Sequence, residues 1–371
     1  MRQGKLSRGM TIVFALAVLL ASLAWSGAAL AAPATPGAVY VLTNAAGGNA
    51  VAIFGRASDG TLTPAGTVAT GGLGTGGGLG SQGALILSAN NRWLFAVNAG
   101  SNEISSFAVS QDGLQLVDRV GSGGVRPISL TTHGDLLYAL DAGGSGNITG
   151  FRVGSNGTLA PLAGSTRPLS VGAAGPAQVQ FSPDGDLLVV TEKATNRIDT
   201  YTIDADGIAS GPAVYPSTGS TPFGFAFARR NRLIVSEAAS GALSSYATDD
   251  QGNLQAISGS VADHQTAPCW VAVTHNGHYA YTTNAGSDSI SGYWVGPDGQ
   301  LTLLDADGVS GRTGAGGHPT DMDLSHDSQY LYALNTGNGT IAGFQVNGDG
   351  SLTSVSGAGG LPASAVGLAA R

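Results

Sequence analysis

The stretch Tyr279–Leu304, YAYTTNAGSDSISGYWVGPDGQLTLL, contains two short strand-forming segments and the start of a third. Its Tyr, Thr, Ile and Val side chains favour the half-buried surface of a β-strand. Asn284-Ala285-Gly286 separates the first two segments, and Pro297-Asp298-Gly299 precedes the third. Both are turn sequences. One such unit cannot bury both of its faces, so we expect it to pack against further copies of itself.

The first strand of this unit recurs along the whole chain. Seven copies, 43 to 54 residues apart, end at Asn44, Asn98, Asp141, Glu192, Glu237, Asn284 and Asn335. Five copies are followed by a strand of the type Ile198-x-x-Tyr201-x-Ile203, whose two faces are both apolar or small, and two by looser versions with Val51 and Phe54 or Leu243 and Tyr246. Most copies open with a further strand that follows a proline. The repeat predicts an all-β fold, a seven-bladed β-propeller with four antiparallel strands per blade.

The ends of the chain indicate how the ring closes. The first copy begins at Val39 with its second strand, so its inner strand is missing there. A strand-like segment, Leu361–Ala369, is left over at the C-terminus with no unit after it. We therefore predict that the C-terminal strand completes the first blade and removes the exposed sheet edges.

The N-terminus has the charge and hydropathy order of a secretory signal peptide. Arg2, Lys5 and Arg8 precede the uncharged run 11–25, and small residues follow up to Ala31. The alternative is a membrane anchor, but the 15-residue run is shorter than the roughly 20 residues that cross a bilayer. We predict a signal peptide over 1–31, a propeller over 32–371, and a secreted or periplasmic protein.

Composition excludes several classes of partner. The net charge of −8, without a basic patch, argues against binding nucleic acid, and we expect no membrane association once the signal peptide is removed. The single cysteine, Cys269, excludes an intramolecular disulfide and a thiolate metal site. We expect a monomer with no cofactor and no bound metal.

Propeller geometry sorts the polar residues by face. We define the upper face as the one with the loops that lead into the inner strands, such as the loop before Pro127; the lower face is its opposite. Predicted upper-face ligand-binding residues are Arg126, Gln178, Lys193, Arg197, Glu237, His264 and Asp321. The lower turns carry His133, His275, His278 and His326, away from the upper channel mouth.

Glu192 and His318 are the predicted catalytic residues of this face. A hydrolase needs a base to activate water and cations to stabilise the oxyanion, and Glu192 lies near Lys193 and Arg197 in sequence. The residues of this face predict a small anionic ligand at the upper channel mouth. The alternatives are a solvated surface ion pair for Glu192 and hydrogen-bonded loop positions for His264 and His318.

The segment 71–83, GGLGTGGGLGSQG, is dense in glycine but leads into a strand at Ala84. Phosphate-binding glycine loops use a helix N-terminus, which this segment lacks. We expect instead a loop over the channel mouth, either mobile or closely packed.

The repeats resemble those of the bacterial lactonase family of seven-bladed propellers, which includes one class of 6-phosphogluconolactonases and the fungal carboxymuconate cyclases. The resemblance extends over the mature chain and is carried by PAQVQFSPDGDLLVVTEKATNRIDTYTID at 176–204, GSQGALILSANNRWLFAVNAGSNEISSFAV at 80–109 and HPTDMDLSHDSQYLYALN at 318–335. The repeats are also similar to the wider YVTN type, as in YAYTTN at 279–284.

The resemblance implies a cofactor-independent lactonase or a cycloisomerase that acts on a sugar acid or a carboxylated cyclic compound. It therefore implies that the small ligand at the upper channel mouth is an anionic compound or a lactone. It also implies a histidine directly after an inner-strand proline. Here those positions hold Ile128, Ala177, Phe223, Cys269, Thr320 and Ala363. This departure supports the alternative function, a non-catalytic binding propeller on the same scaffold.

Overall fold

The computed structural model describes Met1 and residues 37–371. The predicted signal peptide and its cleavage site after Ala31 lie outside the described residues. Within the described part of the chain, no helix has the length and apolar character needed to span a bilayer.

The described chain forms seven antiparallel sheets in a ring, so the predicted seven-bladed β-propeller is confirmed. From the channel outward, the strands of blade 1 are Val366–Ala370, Gly37–Leu42, Ala50–Arg56 and Leu62–Ala69, and those of blade 2 are Leu85–Leu87, Trp93–Asn98, Glu103–Ser110 and Gly113–Gly121. Blade 3 has Pro127–His133, Leu136–Asp141, Asn147–Val153 and Leu159–Pro161 with Arg167–Pro168. Blade 4 has Pro176–Phe181, Leu187–Glu192, Arg197–Ile203 and Ala209–Pro216. Blade 5 has Pro222–Ala228, Arg232–Glu237, Ala242–Thr248 and Leu254–Ala262. Blade 6 has Pro268–Val273, Tyr279–Asn284, Ser289–Val295 and Leu301–Leu303 with Gly311–Arg312. Blade 7 has Pro319–Leu324, Tyr330–Asn335, Thr340–Val346 and Leu352–Gly359. A 3-10 turn, Arg229–Asn231, is the one helical element among the described residues.

The C-terminal strand closes the ring as predicted. Val366–Ala370 pairs with Gly37–Leu42, with Ala370 opposite Val39. Beyond the strand, the backbone N–H of Arg371 donates to the carbonyl of Ala38 at 2.9 Å. The strand begins later than Leu361, because residues 362–365 form a turn closed by the Ala365 N–H on the carbonyl of Pro362 at 3.0 Å.

Neighbouring blades are joined by fully buried tyrosines on their second strands. The hydroxyl of Tyr138 donates to the carbonyl of Gly207 at 2.8 Å, and that of Tyr281 donates to Gly350 at 2.8 Å. Tyr332 donates to Gly60 at 2.7 Å across the junction between the last blade and the first. The apolar ring fills the space between two sheets while the hydroxyl satisfies a turn carbonyl, which fixes the spacing of the blades.

Candidate functional site

The inner strands of all seven blades surround a central cavity of about 630 Å³. The cavity continues to the lower turns, where Pro183, Arg229 and His275 line it. The inner strands alone therefore do not decide which face a ligand would enter; the loops at each end do.

The glycine-rich segment closes the upper end of this cavity. The side chain of Gln82 forms a pair of hydrogen bonds with the backbone of Val271, from Nε2 to the carbonyl at 2.7 Å and from the N–H to Oε1 at 3.0 Å. Ser81 Oγ donates to the carbonyl of Ile128 at 2.8 Å, and Trp270 Nε1 donates to the carbonyl of Ser81 at 2.8 Å. The loop is thus closely packed across the channel mouth, the second of the two conformations expected from its sequence.

Glu192 ends the second strand of blade 4, and its side chain is completely buried. Its carboxylate accepts hydrogen bonds from Ser170 N–H at 3.0 Å, from Ser170 Oγ at 2.6 Å and from Thr195 Oγ1 at 2.6 Å. Asp199, also buried, accepts from the same Ser170 N–H at 3.0 Å. These contacts anchor the connection from blade 3. The catalytic role of Glu192 stays a prediction, and its position is that of a loop anchor rather than of a group facing a ligand.

Burial, together with the hydrogen bond and negative charge of Glu192, raises the pKa of Asp199 to about 8. A carboxyl group that keeps its proton at neutral pH can donate to a neighbouring carboxylate. The two acids are therefore held together as a hydrogen-bonded pair inside the protein.

Glu237 holds the same position in blade 5 and is also completely buried. It accepts hydrogen bonds from the Gly219 N–H at 2.7 Å, from Ser244 Oγ at 2.7 Å and from Ser260 Oγ at 2.6 Å. With its lone pairs occupied in this way, Glu237 has the contacts of a second loop anchor, and its predicted ligand-binding role is not supported by an exposed carboxylate.

Gln178 and Asp321 lie on inner strands and connect them. Adjacent inner strands share no ladder of backbone hydrogen bonds, so side chains satisfy the backbone groups that face the channel. Gln178 Oε1 accepts from Phe225 N–H at 2.7 Å, and Asp321 Oδ2 accepts from Leu368 N–H at 3.2 Å. Burial raises the pKa of Asp321 well above its ordinary value.

The predicted site residues did not include Gln82 and Asp323, which make the same kind of connection. Asp323 Oδ2 accepts from Ala370 N–H at 2.9 Å, and burial raises the pKa of Asp323 to about 7. The available signal was the alternation of polar residues on inner strands, as in Asp321-Met322-Asp323.

Lys193 is the predicted ligand-binding residue with the most distinctive surroundings. Its Nζ donates a hydrogen bond to the carbonyl of Gly80 in the glycine-rich loop and lies 4.7 Å from the centre of the Phe223 ring. Burial, with a smaller contribution from the positive charge of Arg126, lowers the pKa of Lys193 to about 8. Lys193 and Arg126 therefore lie within electrostatic range of each other at the upper mouth.

Arg126, Thr221 and His318 directly precede inner-strand prolines and share a left-handed backbone, with φ of 60°, 59° and 49°. Each backbone N–H donates to a side-chain Oδ1 of the preceding blade at 2.7 Å. The acceptors are Asn102 for Arg126, Asn196 for Thr221 and Asp288 for His318. This contact compensates for a conformation that is rare outside glycine. It turns the exposed side chains of Arg126 and His318 away from the strand and onto the upper face.

Arg197 and His264 stand apart from this arrangement. Arg197 is opposite Glu192 in the strand register, but no ion pair links them among the described residues. His264 is exposed on the connection that leads into blade 6. His264 and His318, the two upper-face histidines, do not contact each other. Residues 37–371 contain no group of three or more acidic, histidine or cysteine side chains placed to hold a metal ion.

The family model for the lactonase 7-bladed beta-propeller matches residues 37–171, 163–271 and 256–363. The chain belongs to this lactonase family. A candidate 6-phosphogluconolactonase of Bacteroides fragilis is 20% identical, with a TM-score of 0.70 over 92% of this chain and 99% of the other. The periplasmic gluconolactonase of Pseudomonas aeruginosa is 18% identical, with a TM-score of 0.67 over 89% and 98%. At these identities the likeness shows the fold, and no curated protein matches the chain significantly by sequence.

In this lactonase-family propeller, four of the six positions after the inner-strand prolines are buried, whereas Thr320 is half-buried and Ala363 is exposed. Ile128, Ala177, Phe223 and Cys269 are buried, and burial raises the pKa of the Cys269 thiol to about 12. None of them offers a proton acceptor at neutral pH. Any acid–base chemistry on the upper face must come from residues outside these positions, and Lys193, whose Nζ lies 4.7 Å from the centre of the Phe223 ring, is one such residue.

Proposed function

We propose that this lactonase-family propeller binds a small carboxylated or phosphorylated lactone at the upper channel mouth and hydrolyses it without a cofactor. The observation that carries the proposal is the lysine of lowered pKa, Lys193, held over the Phe223 ring beside Arg126. The substrate class is a lactone of a sugar acid or of a carboxylated cyclic compound.

Lys193 supplies the base in this reaction. With a pKa of about 8, a substantial fraction of the amine is neutral in mildly alkaline solution. The neutral amine takes a proton from water as the water oxygen bonds to the lactone carbonyl carbon. Arg126 pairs with the oxyanion that forms, and the ring C–O bond then breaks, with the protonated lysine returning its proton to the departing alkoxide. For this to occur, Nζ exchanges its bond to the Gly80 carbonyl for one to water, so the glycine-rich loop has to shift.

Export is a further part of the proposal. The N-terminal charge and hydropathy order supports cleavage after Ala31, and a neighbour of the same fold is a periplasmic gluconolactonase. N-terminal sequencing of the protein recovered from a periplasmic fraction tests it. Recovery of an uncleaved chain in the cytoplasm alone would contradict it.

A lactone panel tests the chemistry. Glucono-1,5-lactone, its 6-phosphate and a carboxylated five-membered lactone are followed by acid release, with kcat and KM measured from pH 6.5 to 9.5. We expect kcat/KM to rise with pH through a midpoint near 8, because the base acts only when neutral. Lys193→Arg keeps the charge but cannot act as a base, so it lowers kcat by about 100-fold with little change in KM.

Matched variants assign the other roles. Arg126→Ala raises KM for the anionic lactones, whereas Arg312→Ala, which removes another exposed upper-face arginine, leaves both constants unchanged. His318→Ala tests the second predicted base at the upper face. If the rise of kcat/KM with pH disappears in His318→Ala but persists in Lys193→Arg, His318 and not Lys193 is the base.

A binding propeller is the second candidate, and one observation favours it. The three predicted carboxylates of the upper face, Glu192, Glu237 and Asp321, are all buried in contacts within the protein, whereas Arg126 is exposed there. Calorimetry of the same lactones and of their ring-opened acids separates the two. Binding that Arg126→Ala weakens, with no turnover of any lactone, supports the binding function.

A further inference from the structure

The turn between the first two strands of blade 5 departs from the corresponding turns of other blades. In four blades a Ser or Thr hydroxyl donates to an Asp or Asn two residues later: Ser88 to Asn90 at 2.8 Å, Ser182 to Asp184 at 2.5 Å, Thr274 to Asn276 at 2.7 Å and Ser325 to Asp327 at 2.6 Å. Blade 5 has Ala228 at the hydroxyl position, followed by Arg229, Arg230, Asn231 and Arg232. A self-contained polar turn is thus replaced by three arginines on the lower face.

Backbone geometry sets the direction of these arginines. Arg230 has φ 57° and ψ 39°, and Asn231 has φ 54°, so two consecutive residues adopt the left-handed conformation. That conformation is rare for a long side chain such as arginine. The turn is held by Thr248 Oγ1, which donates to the carbonyl of Asn231 at 2.9 Å, and by Asn231 Nδ2, which donates to Asp184.

The arginine stems are fixed against glycines of blade 6. A Cβ at Gly277 would lie 2.6 Å from Arg229 Cγ, and one at Gly299 would lie 3.2 Å from Arg232 Cδ. Arg232 begins the second strand where blades 4 and 7 carry the buried Leu187 and Tyr330. Its Nε is buried and has no hydrogen-bond partner among the described residues.

These arginines line a pocket of about 550 Å³ between blades 5 and 6. The other lining residues include His278, Trp294 and Pro297. Trp294 is 40% exposed, and its ring packs so closely over Gly296 that a Cβ there would lie 2.9 Å away. The pocket therefore combines a fixed aromatic ring with three guanidinium groups, and it shares Arg229 and Arg230 with the lower end of the central cavity.

The positive charge of the pocket is not neutralised by the protein. The ion pairs among residues 37–371 are Arg119 with Glu103 and Arg152 with Asp135, so no carboxylate lies within 4.0 Å of the three arginines there. This concentration of cations occurs in a chain of net charge −8. Guanidinium groups pair with carboxylate or phosphate through two parallel hydrogen bonds, and an exposed indole stacks on flat rings.

We propose that this lower-face pocket binds an oxyanion, carboxylate or phosphate, attached to a flat aromatic ring. The anion pairs with the guanidinium groups of Arg230 and Arg232, and the ring stacks on Trp294. The site is separate from the upper mouth and does not depend on the proposed lactone chemistry. An occupant lies beside the lower opening of the central cavity.

Titration of the purified protein with benzoate, phenyl phosphate, inorganic phosphate and neutral benzamide tests the site by calorimetry and tryptophan fluorescence. We expect at least one of the two aromatic anions to bind, with benzamide and inorganic phosphate each weaker by about tenfold or more, since each lacks one half of the recognition. Whichever aromatic anion binds more tightly identifies the oxyanion. Failure of both aromatic anions to bind would overturn the proposal.

Variants locate the binding. Arg230→Gly removes the cation and suits the left-handed backbone, so the fold is retained while the Kd rises about tenfold or more. Trp294→Ala removes the stacking surface and weakens the aromatic anions but not inorganic phosphate. Arg92→Gln is the matched control, because Arg92 is an exposed lower-face arginine that already lies over Trp93 at 5.6 Å. Equal affinity in Arg230→Gly and the unmodified protein, or equal losses in Arg230→Gly and Arg92→Gln, would refute the assignment.

Discussion

Replacing Asp199 with asparagine should make the protein more stable at neutral pH and should flatten part of its pH dependence. Asp199 Oδ2 accepts from the Ser170 N–H at 3.0 Å, and Oδ1, which has no other partner among the described residues, can donate to Glu192 when it carries the proton that the raised pKa retains. An asparagine amide can make both contacts, with its NH₂ in place of the carboxyl O–H. The variant therefore keeps the hydrogen bonds of the folded state and removes the cost of keeping a proton on the acid.

The sign and size of the predicted stability change follow from the pKa of Asp199. Burial, and then Glu192, raise the pKa of Asp199 from 3.8 to about 8 in the folded protein. The unfolded chain releases this proton at lower pH, so the contribution of Asp199 to stability is complete below about pH 4 and is lost as the pH rises towards 8. Each pH unit within that window lowers the free energy of unfolding of the unmodified protein by up to about 1.4 kcal/mol. The stability advantage of Asp199→Asn over the unmodified protein should therefore grow by about 3 kcal/mol from pH 5 to pH 7.5.

Urea denaturation followed by tryptophan fluorescence, at pH 5 and at pH 7.5, measures the difference. Asp186→Asn, which changes an exposed aspartate of the same blade, is the control and should follow the unmodified protein at both pH values. If Asp199→Asn and the unmodified protein lose the same stability between the two pH values, Asp199 is ionised in the folded state and the paired arrangement is incorrect.

Other perturbations test the ring and its upper closure. Tyr332→Phe leaves the Gly60 carbonyl without its partner at the junction of the last and first blades, and should lower the free energy of unfolding by about 1–3 kcal/mol in urea titrations; an unchanged midpoint would contradict the role of the hydroxyl. Deletion of 366–371 removes the inner strand of blade 1, so the truncated protein should lack the single cooperative unfolding transition that we expect of the unmodified protein in scanning calorimetry. Gln82→Ala leaves the Val271 backbone unpaired and should cost about 2 kcal/mol while speeding hydrogen exchange in the glycine-rich loop; unchanged exchange there would show that Gln82 does not hold the loop.

The fold was predictable because it is written in repeated apolar positions. The second strand ends at a polar residue in six of the seven blades, and the third carries an aliphatic residue and Phe or Tyr three positions apart, as in Ile198 and Tyr201. Both are completely buried between sheets. Alternating faces of a strand have to fill the same space in every blade, so the sequence must repeat. Even the closure by 366–370 followed from counting strands.

The candidate site was less predictable because hydrogen-bond partners far apart in the sequence decide it. Lys193 was selected for its position beside Glu192, yet its contacts are with Gly80 and Phe223. The loop that supplies Gly80 belongs to another blade, and its path over the channel depends on Gln82 reaching Val271, 189 residues away. No local pattern contains that information.

A departure from a repeat acquires meaning only from what the departing side chain contacts. Glu192 and Glu237 differ from the Asn284 of the same position, but all three are completely buried at the end of a second strand. Asn284 donates to Ser291 at 2.8 Å, whereas the longer acids reach loop donors such as Ser170 and Gly219. The acids therefore answer a local packing requirement. The arginines at 229–232 depart in the opposite way, since Arg229 and Arg230 are exposed and meet no carboxylate among the described residues. Charge that the fold does not use is the better indicator of a ligand, which is why the lower pocket, and not the buried acids, is the departure expected to respond to an added anion.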